Sequence, residues 1–240
     1  MEYAVILAVG LVAGTLGGIV GFGSSLMLMP VLVIAFGPLE AVPVMAIAAI
    51  MANATRIVVW WQQVDWRAAG AFAATGAPSA ALGAATLLSL PVRAIEVTIG
   101  SFFIAMIFVR RWMAKRALRF RAVHLALFGV PLGFITGLVV TTGPITVPIF
   151  LGAGLVKGAF ISTESAATLA VYLAKAGVFR TLGALPLDVA VKGLIVGSTL
   201  MLGAWIAKRI VLKIPPERFN VLMDGLMLVS GAALLGAALV

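Results

Sequence analysis

The sequence contains no cysteine and a single histidine, His124, so disulfide frameworks, thiolate metal sites and cysteine nucleophiles are excluded, and no histidine cluster has metal-ligand spacing. Neither a metal nor a cofactor is expected. Charge is scarce as well. Asp, Glu, Lys and Arg make up 10% of the 240 residues, against roughly a quarter in an ordinary soluble domain. No Walker sequence GxxxxGK[ST] occurs, so ATP would have to act through another subunit. An intramembrane enzyme would need paired carboxylates, a Ser/His or Ser/Lys arrangement or a metal cluster, and none is convincing here, so the chain is read as a non-enzyme.

What the chain has in excess is apolar surface: 63% of its residues are hydrophobic and the mean hydropathy is +1.20. That composition belongs to a membrane protein. The chain opens Met1-Glu2-Tyr3 and its first basic residue is Arg56, so no basic n-region precedes the first apolar run and no cleaved signal peptide is expected. The formal net charge is +9. Its basic residues concentrate in Arg110, Arg111, Lys115, Arg116, Arg119 and Arg121, and in Lys208, Arg209, Lys213 and Arg218, each group lying between apolar runs. Such loops obey the positive-inside rule and are expected to be cytoplasmic. Nucleic acid is not an expected partner; the lipid bilayer is.

Apolar runs cover residues 3–36, 41–61, 68–90, 94–109, 122–156, 159–179, 185–207 and 219–240. Six have about the length of one crossing, taking roughly 20 residues for a ~30 Å core. The first and fifth are far longer, and each is interrupted near its middle by glycine and small polar residues. Gly10, Gly14 and Gly18 lead into GGIVGFGSSLMLMP, and Gly129, Gly133 and Gly137 lead into GLVVTTGPITVP, with an offset of 119 for all three glycines. Asp65 and Gly70 match Asp188 and Gly193, five residues apart in each case, after a run of similar length. The chain therefore reads as two repeats, residues 1–109 and 122–240, joined by a basic cytoplasmic linker at 110–121.

Loop charge selects the topology. If runs 3–36 and 122–156 each crossed once, the two most basic loops would face opposite sides of the membrane. If each enters and returns, both loops are cytoplasmic. The expected fold is an all-α polytopic membrane protein of two inverted repeats, each a re-entrant broken-helix hairpin (3–36; 122–156) plus three transmembrane helices (41–61, 68–90 and 94–109; 159–179, 185–207 and 219–240). Both termini then lie on the periplasmic side of the cell inner membrane. The arms Tyr3 to Leu16 and Leu26 to Phe36 are each too short to span, and backbone that leaves helical geometry at that depth must be buried in protein or face a watery cavity.

A half-helix begins after each break, near Ser24 and Ser25 and near Pro144, and two opposed helix N-termini favour an anion. Ser24, Ser25, Thr141, Thr142 and Thr146 offer hydroxyl donors, while Gly21, Gly23 and Gly143 admit a ligand to the backbone. The competing reading is that the Ser and Thr residues only cap their helices. Asn53 and Arg56 share one face of their helix, and Tyr172 and Lys175 share a face of its counterpart. A fixed cation beside the two N-termini would raise anion selectivity; alternatively, Arg56 snorkels toward Trp60 and Trp61, and Lys175 with Arg180 toward the other face, the favoured reading for Lys175. Asp65 and Asp188 are expected as N-caps, Asp188 also pairing with Lys192. Glu164 and Asp224 are lesser candidates for a coupled proton. His124 and the tryptophans are expected at the interfaces.

These residues carry a resemblance. The paired breaks GIVGFGSSLMLMP and GLVVTTGPITVP, with the VDW and PLD helix starts, resemble the sulfite exporter TauE/SafE family of membrane permeases over nearly the whole chain. The resemblance implies export from the cytoplasm of sulfite, a sulfonate such as sulfoacetate, or a related small organosulfur anion. The chain departs from the usual pattern where Ser24 and Ser25 stand for glycines and where Val140, Thr141 and Thr142 replace a glycine-rich start. The sequence supports a secondary transporter that works by alternating access, with an anion channel using the same site as the runner-up. It leaves the substrate, the coupling ion and the oligomeric state open, a homodimer included.

Overall fold

Helix signals along the chain place the breaks and bends of the fold. The computed structural model describes residues 2–21, 23–114 and 119–210, which form α1 (Glu2–Val20), α2 (Ser24–Phe36), α3 (Pro38–Val59), α4 (Trp66–Leu88), α5 (Val92–Ala114), α6 (Ala122–Leu138), α7 (Gly143–Gly152), α8 (Lys157–Thr181) and α9 (Leu187–Ile210). The expected crossing at 219–240, with Lys115, Arg116, Lys213, Arg218 and Asp224, lies outside the described residues. No strand occurs among the described residues. α3, α4 and α9 are long and apolar enough to cross a membrane. α8 has 25 residues but carries polar groups along a buried face, which lowers its mean hydropathy while giving it the chemistry described below.

Each long run breaks as expected, by different means. In the first, Gly21 (φ 87°) and Gly23 (φ 110°) take the left-handed backbone that only glycine adopts without strain. In the second, Val139 and Thr142 turn the chain with negative φ, so glycine is unnecessary there. The first arms are longer than the expectation of an arm ending at Leu16: α1 continues through Gly17 and Gly18 to Val20 and reaches about 28 Å at 1.5 Å per residue. α7 has ten residues, about 15 Å. α5 also runs past its expected end at 109, taking Arg110 and Arg111 into the helix, so the linker is shorter than 110–121.

The glycine stripes explain the packing. A Cβ at Gly14 would lie 2.6 Å from the Leu200 backbone on α9, and one at Gly18 would lie 2.8 Å from Ala204. A Cβ at Gly133 would collide with the backbone of Gly76 on α4, and one at Gly137 with that of Ala80. Each stripe thus lets its hairpin arm press directly on a helix of the other half of the chain, α1 on α9 and α6 on α4. Within a bilayer, where apolar burial gives no extra drive, such van der Waals contact is what holds helices together. Two apolar clusters complete the core: one contains Leu28, Met29 and Met45, the other Phe72, Leu125 and Phe150.

Contacts at the helix ends fix the directions. The Phe120 N–H donates to the Gly152 carbonyl at 2.8 Å, so the chain leaves α7 beside the place where it enters α6. Lys192, near the start of α9, lies 5.0 Å from the Phe36 ring at the end of α2 and pairs with Glu40 near the start of α3. At the opposite ends of the same helices, the Lys208 ammonium donates to the Val59 carbonyl at 3.3 Å and sits over the Trp60 ring. Asp65 caps α4 as expected, accepting from the Ala68 N–H at 2.9 Å. Asp188 instead sits in the first turn of α9, 4.0 Å from Lys192, whose closer partner is Glu40. Trp61 and Trp66 stack edge to face and are more than half exposed, as an aromatic belt requires.

Candidate functional site

On α3, Ala49, Ala52, Asn53 and Arg56 fall on one face; on α8, Glu164, Thr168 and Tyr172 recur every four residues on another. These two stripes meet the two breaks around one narrow polar cavity. Its lining adds Gly21, Ser24 and Ser25 from the first break and Thr136, Thr141, Thr142 and Gly143 from the second. The cavity measures about 20 Å³, room for about one water molecule.

Arg56 is 4% exposed. Its Nη1 donates to the Gly21 carbonyl at 2.7 Å and to Asn53 Oδ1 at 3.1 Å, and Nη2 lies 3.5 Å from Ser24 Oγ. It therefore faces the site and does not snorkel toward Trp60. Gly17 makes room for it, since a Cβ there would lie 2.8 Å from Nη2. Lys175 stands 119 residues further on, at the matching place in α8, just as Tyr172 matches Asn53. Its ammonium donates to the Thr136 carbonyl at 2.8 Å and to the Val139 carbonyl, where α6 ends, and it is 1% exposed. The snorkelling expectation for Lys175 is thus corrected: its donors are consumed by backbone carbonyls inside the protein. Each cation holds the carbonyl end of the first arm in its own half, offsetting the negative pole of that helix.

The second arms differ in what they present. No residue among those described accepts from the backbone N–H of Ser24 or Ser25 at the start of α2, and Gly23 gives no side-chain cap. At α7 the donors are already used: Gly143 N–H meets Thr141 Oγ1 at 3.2 Å, Pro144 has none, and Ile145 and Thr146 bond to the Thr142 carbonyl. The expected symmetry of two free helix N-termini is therefore absent, because Thr141 folds back onto α7. Hydroxyls fill part of this gap. Thr136 and Thr142 share a hydrogen bond of 2.6 Å, and Tyr172 donates to the Val140 carbonyl at 2.9 Å.

Glu164, only a lesser candidate from the sequence, is 3% exposed and lines the cavity. Thr146 donates to its Oε1 at 3.1 Å; its Oε2 has no partner, and neither does the Nε–H of Arg56. Two of the charged residues that line the cavity thus carry an unpartnered group, a donor on Arg56 and an acceptor on Glu164. Of the expected site residues, Gly21, Ser24, Ser25, Asn53, Arg56, Thr141, Thr142 and Gly143 come together here. Gly23, Thr146 and Lys175 stand behind the lining: Gly23 shapes the break, Thr146 braces Glu164 and Lys175 braces α6. Thr136, Thr168 and Tyr172 belong to the lining and are not in the expected set, although the spacing of Glu164, Thr168 and Tyr172 along α8 carries the signal. Among the described residues no group of His, Asp and Glu could hold a metal ion.

Comparison with known proteins matches a family model described as Sulfite exporter TauE/SafE to residues 6–234. No curated protein and no solved structure matches.

Proposed function

The chain belongs to the sulfite exporter TauE/SafE family, a family of membrane permeases, and from that premise we propose that it is a secondary transporter exporting a small organosulfur anion, sulfite or a sulfonate such as sulfoacetate, across the cell inner membrane. The observation that carries this reading is Arg56, a buried guanidinium with an unpartnered Nε–H that lines a narrow polar cavity between the two helix breaks. A charge buried inside a membrane protein is costly and is retained where something uses it. The open amides of Ser24 and Ser25 add donors at the positive pole of α2, and Thr141 and Thr142 add hydroxyls from the other side.

Alternating access is supported by size. A cavity of about 20 Å³ is too small for a sulfonate, so loading requires the lining helices to part. A continuous pore would be expected to stay open around the site. The inverted repeat is supported by the end contacts: α1 and α2 share the end marked by Glu40 and Lys192, whereas α6 starts beside α4, after the end marked by Trp60 and Lys208. The two hairpins would then enter from opposite faces, and cross-packing of α1 on α9 and α6 on α4 would couple the halves as they move.

The test is uptake into proteoliposomes holding the purified chain. Saturable flux of sulfite, methanesulfonate or sulfoacetate, lost in Arg56→Ala, is the expected result. Absence of saturable flux for all three would overturn the reading.

A further inference from the structure

Glu164 poses a problem that the anion site alone does not solve. Its carboxyl group lies in the cavity that would hold an anion, buried within α8, and Oε2 has neither a hydrogen-bond donor nor an ion pair among the described residues. Thr146, itself fully buried, shares its hydroxyl between Oε1 at 3.1 Å and the Gly143 carbonyl at 3.2 Å and leaves Oε2 without a donor. The other charged or titratable side chains in the cavity are Arg56 on α3 and Tyr172 on α8. The neighbouring α2 adds Ser24 and Ser25 to the lining, Thr146 of α7 reaches Oε1, and Gly21 lies near both Oε2 and the Phe160 ring. Lys175 is occupied with the carbonyls that end α6.

The position is also not one the scaffold demands. Counting back 119 residues from Glu164 gives Met45 on α3, fully buried in the apolar core. The matching place in one half is thus a methionine and in the other an acid. A packing role would be served by the methionine, and an acid with one bare oxygen calls for a partner that comes and goes.

We propose that Glu164 binds one proton together with each transported anion, an inference that rests on the anion site proposed above. With the carboxylate ionised, it and Arg56 sum to no net charge, and an arriving anion meets a negative oxygen at close quarters. With the carboxyl neutral, the cavity keeps the charge of Arg56, and Oε2–H becomes a further donor among the lining residues. Two lining residues then carry an unpartnered donor each. In loading, the carboxylate takes a proton from the side to which the site is open and the anion binds against the new O–H. In release, that O–H bond breaks and the proton leaves with the anion on the other side. The substrate class is therefore an anion moved with a proton, and for a singly charged sulfonate the cycle transfers no net charge. Direction follows the product of proton and anion concentrations on each side, so export requires an outward anion gradient steeper than the inward proton gradient.

Methanesulfonate is the chosen probe because its sulfonate does not titrate between pH 5 and 9. Vesicles reconstituted with the full chain and loaded with pyranine are given an inward methanesulfonate gradient. Wild type is expected to acidify the lumen as it takes up the anion, and its affinity is expected to fall up to tenfold per pH unit once Glu164 ionises. Glu164→Gln, which keeps a donor at that place but no exchangeable charge, is expected to bind methanesulfonate with no pH dependence and to move it without acidification. Wild-type flux without acidification overturns the proposal whether or not the variant folds, and so does a Glu164→Gln protein that keeps the wild-type pH dependence. If wild type binds and moves neither methanesulfonate, sulfite nor sulfoacetate at any pH, the anion site itself is refuted and this inference falls with it.

Discussion

The Arg56 guanidinium lies 2.7 Å from the carbonyl oxygen of Gly21, the residue just past the end of α1, so a single side chain ties the last turn of α3 to the first break. Two roles meet in that contact, satisfying a buried carbonyl and supplying positive charge to the cavity, and substitution separates them. Arg56→Lys can retain the bond to Gly21 but loses the second nitrogen and the open Nε–H. It should melt within a few degrees of wild type in detergent yet transport at least tenfold more slowly, about 1.4 kcal/mol of lost stabilisation. Arg56→Ala strands the carbonyl as well, which costs about 1–3 kcal/mol of stability, and should abolish measurable flux. Unchanged transport kinetics in either variant would remove Arg56 from the site.

Lys175 should behave differently although it occupies the matching place. Its ammonium spans the Thr136 and Val139 carbonyls and does not line the cavity. In Lys175→Met two buried acceptors lose their donor, at about 1–3 kcal/mol each. The expected variant has a clearly lower melting temperature, while the protein that remains folded transports with a near wild-type KM. A large rise in KM with unchanged melting would place Lys175 among the substrate contacts.

How much of this was legible in the sequence depends on which kind of signal each residue left. The breaks at Gly21 and Thr142 were visible because glycine and small polar residues inside an apolar run interrupt the helix there, and the offset of the glycine triplets identified the two halves. The cation at 56 was legible as a candidate because charge is rare in such runs. What the sequence did not reveal was occupancy. Whether Lys175 spends its protons on carbonyls, or whether Thr141 closes back on Gly143, is decided by local backbone geometry that periodicity does not encode. Glu164 left only a faint signal, because its distance along the chain from a helix start says nothing about which cavity its bare oxygen meets.

The glycine stripes make a prediction about stability alone. At Gly133 an added methyl would meet the carbonyl and Cα of Gly76, which are backbone atoms and cannot step aside. Gly133→Ala must therefore push α6 from α4, at a cost of about 1–3 kcal/mol. At Gly70, on the same α4, nothing lies within 4 Å of the added methyl, so Gly70→Ala should be neutral or stabilising by up to about 1 kcal/mol through helix propensity. Thermal melts of the two variants in one detergent compare them directly. Equal melting temperatures would mean that the close approach of α4 and α6 is not required.

The membrane arrangement can be tested without any transport assay, because a chain with no cysteine accepts single reporter thiols on a clean background. Gln62 and Leu182 are both exposed, one just beyond α3 and the other just beyond α8. Between them lie α4, α5, the α6–α7 hairpin and α8. If the hairpin returns to the side it entered, as the bond from Phe120 to Gly152 supports, three crossings separate the two positions and they face opposite sides. If α6 and α7 together make one crossing, the count is four and both face the same side. A membrane-impermeant maleimide applied to intact cells should therefore label Leu182→Cys and spare Gln62→Cys, which reacts only after the membrane is opened. Labelling of both from one side would break the parity on which the inverted repeat depends, and with it the placement of the basic loops around Arg119 and Lys208 in the cytoplasm.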